Sequence, residues 1–327
     1  MSEGHYIVKK ITDLRDLKID DIIPESDHAS VTSQDKLIQL KYIEVEDDKE
    51  IYNVKPGLFT IAKEGYNLRL HSTTFTNDKI LPDIKSVQEL GNKIDCFFRK
   101  LDVYKQFGIE IPKRAALIYG PAGTGKSTGV IDIVNRYVQD GETLAVIWPT
   151  DKFEASEVKD FIKTFNYTNV KKFILVAEDI GGVEIDQVRM KSVSSLLSLL
   201  DNKEKTFTIP IFIVATTNHP ENFLGNITNR PGRFDDKIEV GNPSAEDRKK
   251  ILKFFLKEEA TEEHCDLITN KKYKDFSIAH IQEVVLRAAI FDMTFEDSLN
   301  KVLSDIETYN KMFTKKSKLG FNSDDSY

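Results

Sequence analysis

The chain has 327 residues, 30% of them charged and 40% hydrophobic, with a formal net charge of −7. That length holds about two domains and a real core, and the composition is that of a folded protein, neither disordered nor fibrous. The acidic balance argues against broad nucleic-acid binding, which needs an excess of Lys and Arg, although it leaves room for a local basic groove.

Cys96 and Cys265 are the two cysteines and show no C-x-x-C spacing. Neither a disulfide framework nor a zinc site is expected, and a reducing compartment fits. The opening MSEGHYIVKK lacks the apolar core of a secretory signal. No apolar run approaches the roughly 18 residues that a membrane span requires, so a cytoplasmic location and no membrane span are expected.

Residues 1–83 read as a β-rich N-terminal region with a loosely ordered leader. The strand-like text is KYIEVE, YNVKPGLFTIA with its Pro-Gly turn, and YNLRLHS. One helix is expected over SVQELGNKIDCFFRKLDVYKQFG, with Val87, Leu90, Ile94, Phe97, Phe98 and Leu101 as its apolar stripe. Within 84–241, the runs AALIY, TLAVIW, FILVA and IFIVA alternate with helical text. Such strands must be buried on both faces, which predicts a parallel sheet between helices. From 242 to 313 the pattern is helical only, with one stripe at Ile278, Ile281, Val285 and Ala288 and another at Leu299, Val302, Leu303 and Ile306. Residues 314–327 read as a frayed tail.

Between AALIY and the helical STGVIDIVNRYV lies GPAGTGKST: Gly120, Pro121, Ala122, Gly123, Thr124, Gly125, Lys126, Ser127 and Thr128. It fits G-x-x-x-x-G-K-[ST]. The glycines let successive backbone N–H groups face one point, at which the following helix aims its positive end. Lys126 then reaches the outer phosphates of a nucleotide, and the Ser127 hydroxyl joins a Mg²⁺ shell. Further on, FILVA ends in Glu178 and Asp179, on a strand expected beside the phosphate loop. D-x-x-G at Asp179 and N-K-x-D at 92–95 suggest a guanine-nucleotide switch, but the second match precedes the loop and cannot be a guanine-reading turn.

The strand IFIVATTN ends in Asn218, and RPGRFD follows from Arg230 to Asp235. Over residues 84–310 the chain resembles an AAA ATPase of the AAA+ superfamily. The resemblance implies a P-loop fold with a five-stranded parallel sheet, then a small all-α lid, with ATP and Mg²⁺ bound. It implies that Asn218 orients the attacking water, and that Arg230 and Arg233 project into a neighbouring subunit's site as arginine fingers. The working unit is then a homo-oligomer, a hexamer by family habit. FSIAHIQEVVLRAA resembles the family's G-A-D lid helix. Ala279 matches, whereas Ile278 and His280 replace the Gly and Asp.

The Glu-Asp order and the text CFFRKLDVYKQFGIEIPKRAALIYGPAGTGKS resemble the branch typified by the mitochondrial Rieske-protein translocase. On that alignment Glu178 takes the metal side and Asp179 the place of the general base. An Asp base is one methylene short, which predicts slow hydrolysis.

The resemblance also implies a protein substrate. Phe153 is either a pore-facing aromatic or a side chain packed under its own loop, and 181–190 is a second candidate pore loop. No H-E-x-x-H occurs, which excludes a fused zinc protease at the motif level. The rival readings are a nucleotide-dependent scaffold with little turnover and a DNA-acting loader, nucleic acid being disfavoured by the charge.

Overall fold

In a computed structural model of the protein, the described residues are 4–8, 37–44, 56–64, 67–73, 85–148, 154–163, 165, 170–181, 187–201, 207, 209–222 and 233–319. The strands among them are β1 (Gly4–Val8), β2 (Leu37–Glu44), β3 (Leu58–Glu64), β4 (Asn67–Ser72), β5 (Lys113–Tyr119), β6 (Thr143–Trp148), β7 (Lys172–Ala177), β8 (Ile211–Thr217) and β9 (Asp236–Glu239). They join one sheet in the order β1-β2-β4-β3-β6-β7-β8-β5-β9. The expected five-stranded parallel block is β6-β7-β8-β5-β9.

The N-terminal strands do not stand apart from that block. β3 pairs in parallel with β6, Phe59 opposite Val146, and β4, β2 and β1 continue the sheet in antiparallel. Gly4–Val8 thus forms a strand inside the stretch read as a leader. A second difference concerns β7, which is not the neighbour of β5, because β8 lies between them.

The apolar runs are buried on both faces, as a helix-covered sheet requires. Phe173, Leu175 and Ala177 of β7 join one core with Leu144, Val146, Ile211 and Ile213; Ile174 and Val176 join the other with Ala145, Ile147, Phe212 and Val214. Each of the Val, Leu, Ile and Phe side chains contributes about 1.5–3 kcal/mol when fully buried.

The helices of this unit are α1 (Lys85–Arg99), α2 (Leu101–Gln106), α3 (Lys126–Tyr137), α4 (Ala155–Lys163) and α5 (Gln187–Asp201). α1 and α3 cover the second core, and they approach closely: a Cβ on Gly129 of α3 would stand 2.8 Å from Val87 Cγ1. The single helix expected over 86–108 is broken at Lys100 (φ −108°, ψ 22°). The break lets Leu101 and Tyr104 keep facing the same core, and leaves Val103 and Phe107 exposed. After the last loop, β9 is locked beside β5 by Asp236. Burial alone would raise the Asp236 carboxyl, but Arg114 and Lys93, at 2.8 and 2.9 Å, hold it below the usual carboxylate range.

Two compact units divide the chain: residues 1–120 with 126–240, and residues 121–125 with 241–327. The second contains α6 (Ala245–Leu256), α7 (Glu262–Thr269), α8 (Ile278–Ile290) and α9 (Phe295–Leu319). Its core takes Ile278, Ile281 and Val284 from α8, with Leu299 and Val302 from α9. The stripe is therefore turned by one residue from the expected one, and Val285 and Ala288 are half-buried. Arg248 is buried and donates to the carbonyls of Ile268 and Pro243, at 2.9 and 3.1 Å. Although burial pulls its pKa below the ordinary value, the cation meets the negative C-terminal end of α7.

Candidate functional site

The two acids at the end of β7 sit in different surroundings. Glu178 is half-buried, and burial raises its pKa; the Ser127 hydroxyl, which hydrogen-bonds to it, works the other way, and the Asp179 charge adds to the rise. Ser127 lies in the first turn of α3, so this contact ties the phosphate-loop helix to the acidic strand end across β8.

Asp179 is exposed and adopts φ 50°, a left-handed conformation that costs a non-glycine residue roughly 1–2 kcal/mol. Three consecutive residues at the end of β8 hold it there. Its N–H donates to Thr216 Oγ1 at 2.9 Å, and its Oδ1 accepts from Asn218 Nδ2 at 2.8 Å. The next residue, Ile180, donates its N–H to the Thr216 carbonyl at 2.8 Å and accepts from the Thr217 hydroxyl at 2.6 Å. The structure thus joins Ser127 with Glu178, and Asp179 with Asn218.

Gly120 follows β5 directly with φ 147°. A Cβ there would lie 2.2 Å from the Val240 carbonyl oxygen, so only glycine fits the close pass of the two backbones. Lys126 is buried with its ammonium on the Gly120 carbonyl at 2.9 Å. Burial lowers its pKa, and the Asp179 carboxylate opposes that shift. Thr128 continues the first turn of α3, half-buried.

The loop tip, residues 121–125, clusters with the helical unit. Pro121, Ala122 and Gly123 are exposed, Gly125 is half-buried, and the buried Thr124 hydroxyl donates to the Pro121 carbonyl at 2.9 Å. Gly123 (φ 75°) and Gly125 (φ 82°) both need the left-handed region. The Ala279 N–H donates to the Gly123 carbonyl at 3.0 Å, and a Cβ on Gly123 would stand 2.9 Å from both Ala279 Cβ and Ser277 Oγ. Ser277 N-caps α8 through a capping box. Its hydroxyl accepts the His280 N–H at 3.3 Å, and its own N–H donates to His280 Nδ1 at 3.0 Å. His280 thus does the capping work of an acidic or amide residue, and burial lowers its pKa.

Arg233 is buried, and both its Nε and its Nη2 donate to the Asp201 carboxylate at the end of α5, in the same chain. That hydrogen-bonded pairing raises its pKa. The neighbouring Lys113 donates to the Leu200 carbonyl, so two cations meet the C-terminal end of α5. Arg230, Phe153 and residues 182–186 lie outside the described residues. Thr216, Thr217, Asp201 and Ser277 also make contacts here, although no sequence motif singles them out. The signal for the first two was present: two hydroxyls end an otherwise apolar strand just before Asn218.

Among the described residues no group of three or more His, Cys, Asp or Glu gathers as a metal site. Ser127 with Glu178 is instead a two-oxygen set, which suits Mg²⁺ held partly by substrate phosphates. No described helix is long and apolar enough to cross a membrane.

Residues 116–242 match the model of the ATPase family associated with various cellular activities (AAA). The chain is 27% identical over 258 residues to a proteasome-activating nucleotidase of Saccharolobus solfataricus, covering 72% of this chain and 62% of that protein. It is 26% identical over 266 residues to the ATP-dependent zinc metalloprotease FtsH 1 of Petrotoga mobilis, covering 72% and 39%. A probable 26S proteasome regulatory subunit 10B of Caenorhabditis elegans is 27% identical over 225 residues, covering 65% and 54%. Residues 116–242, less than half of the chain, are thus similar to the AAA family, and the chain spans less than two thirds of the length of each of these relatives.

Proposed function

We propose that the protein is a Mg²⁺-dependent ATPase that works as a homo-oligomeric ring, a hexamer, and uses hydrolysis to remodel or move a protein substrate. The observation that carries this reading is the Asp179–Asn218 pair at the end of β7, with Ser127 from the first turn of α3 on Glu178 beside it. The names of the relatives, proteasome-activating nucleotidase among them, support a protein substrate. The Glu-Asp order supports a place nearest the Rieske-translocase branch, and the two unpaired-motif cysteines support a cytoplasmic setting.

In this reading the backbone amides of Gly120–Gly125 and the Lys126 ammonium hold the β- and γ-phosphates, and Ala279 lies on the adenine side. Ser127 and Glu178 take the metal side; a Mg²⁺ ion bound there neutralises phosphate charge. Asp179 accepts a proton from the attacking water, which Asn218 helps to orient. Arg230 and Arg233 of an adjoining copy approach the transferring phosphoryl group. For Arg233 this requires the Asp201 pair to open. Phe153 is the candidate contact to a threaded polypeptide.

The test is ATP turnover against protein concentration, with particle mass measured with and without ATP. Turnover that rises steeply as rings form supports the reading. A concentration-independent rate from a monomer sinks the trans-arginine scheme, and a ring that binds ATP without turning over makes the protein a nucleotide-dependent scaffold. Stimulation by nucleic acid would move the substrate to the DNA-acting side.

A further inference from the structure

Asp179 is a short carboxylate in a strained backbone, and such a conformation persists only where its surroundings over-determine it. Those surroundings are the last turns of β8. Side chains alternate along a strand, so Thr216 and Thr217, the last two residues of β8, take opposite faces. Thr216 and Asn218 both reach Asp179, one at the amide (2.9 Å) and one at the carboxylate (2.8 Å). Thr217 reaches the Ile180 carbonyl at 2.6 Å, and its oxygen in turn accepts the His219 N–H at 3.0 Å. Both threonines are buried, at 1% and 0% exposure, so their hydroxyls are committed to this work and not to solvent.

We infer that Thr216 is a positioning residue for hydrolysis: its hydroxyl oxygen captures the Asp179 amide, fixes the left-handed turn, and so delivers the one-methylene-shorter carboxylate to the Asn218 amide. The inference rests on the ATPase reading above and deepens it. It accounts for a Glu-Asp strand end that keeps a usable base. The backbone turn supplies the reach that the side chain lacks, and the turn is held by an acceptor that a purely apolar strand end does not offer. Thr216 touches neither substrate nor metal in this account; it acts through Asp179.

The test compares Thr216→Val, which keeps the branched shape and removes the acceptor, with Thr216→Ser, which restores an acceptor. Three quantities are read: steady-state ATP turnover under ring-forming conditions, the thermal midpoint, and deuterium uptake of the peptide carrying Asp179 and Ile180. Thr216→Val is expected to lower kcat by about tenfold or more, with the KM for ATP within about twofold and the thermal midpoint little changed. Its Asp179 peptide should exchange faster, and Thr216→Ser should return both kcat and exchange toward wild type. Unchanged kcat in Thr216→Val overturns the inference. So does a loss of kcat matched by lost ATP binding and a lowered thermal midpoint, which marks a merely structural strand end. If the wild-type protein hydrolyses no ATP at any concentration, the ATPase reading fails by itself. The exchange comparison then decides alone whether Thr216 holds the turn: faster exchange in Thr216→Val supports it, equal exchange contradicts it.

Discussion

The acidic strand end and the RPGRFD segment make opposite use of hydrogen bonds. At the strand end, contacts within one chain set up the chemistry: Thr216, Thr217 and Asn218 hold Asp179 and Ile180, while Ser127 meets Glu178. In the other segment, the contact within one chain withholds a group. The Arg233 guanidinium is bound to its own Asp201, whereas the proposed ring would have it reach a phosphoryl group of another copy. Under the proposed ring, a lone chain would complete only the half of the site that binds phosphate and holds the base. The cationic half would then depend on opening the Arg233–Asp201 pair, which would make Asp201 a control point for turnover.

The largest expected effect is at the other arginine of the RPGRFD segment. Arg230→Ala should cut turnover by about 10³–10⁵-fold at unchanged ATP affinity and thermal midpoint, measured by steady-state kinetics and nucleotide titration. Next comes the self-contained half. Asp179→Asn should lower kcat by about 10²–10⁴-fold with ATP still bound, and full activity would remove the base from Asp179.

A smaller effect separates the two roles open to Arg233. Asp201→Asn should destabilise the unit by about 1–3 kcal/mol, less than a fully buried pair because the carboxylate is partly solvated, read by denaturant titration. If Arg233 serves a neighbour, turnover in ring-forming conditions holds or rises, since the arginine is released. A collapse matching that of Arg233→Ala would instead make the arginine an anchor of α5.

The smallest effect lies in the helical unit. His280 accepts the Ser277 N–H only as a neutral ring, and burial lowers its pKa from 6.5. Its contribution is therefore complete above the unfolded value and is lost as pH falls from about 6.5 through the lowered folded value. His280→Gln keeps a capping side chain without a titrating group. It should remove that acid sensitivity from the melting profile while leaving the neutral-pH midpoint within a few degrees.

The parts that were legible in the sequence are those whose physics is local. AALIY, TLAVIW, FILVA and IFIVA announce strands because every residue in them must find an apolar neighbour, and all four are strands. GPAGTGKST is readable because its glycines, lysine and hydroxyl act within nine consecutive residues. Parallel pairing of β3 with β6 was not readable, since nothing in LFTIAKE names a partner more than eighty residues away. The rotation of the α8 stripe from Val285 to Val284 has a related cause: both valines fit a helical period, and only the neighbouring helices choose between them. In the site, Thr216 and Asp201 were missed because their partners Asp179 and Arg233 lie 37 and 32 residues away. A hydroxyl or an acid at an element's end gives no hint of which distant backbone or cation it will meet.

In the proposed ring, one copy completes another's site. The direct measurement mixes two inactive proteins, Lys126→Ala, which lacks the phosphate lysine but keeps its arginines, and Arg230→Ala, which keeps its loop. Mass measurement first establishes that mixed oligomers form. Recovered ATP turnover in the mixture is the predicted result, because some seams then carry an intact loop on one side and an intact arginine on the other. Mixed oligomers as silent as either protein alone would contradict it.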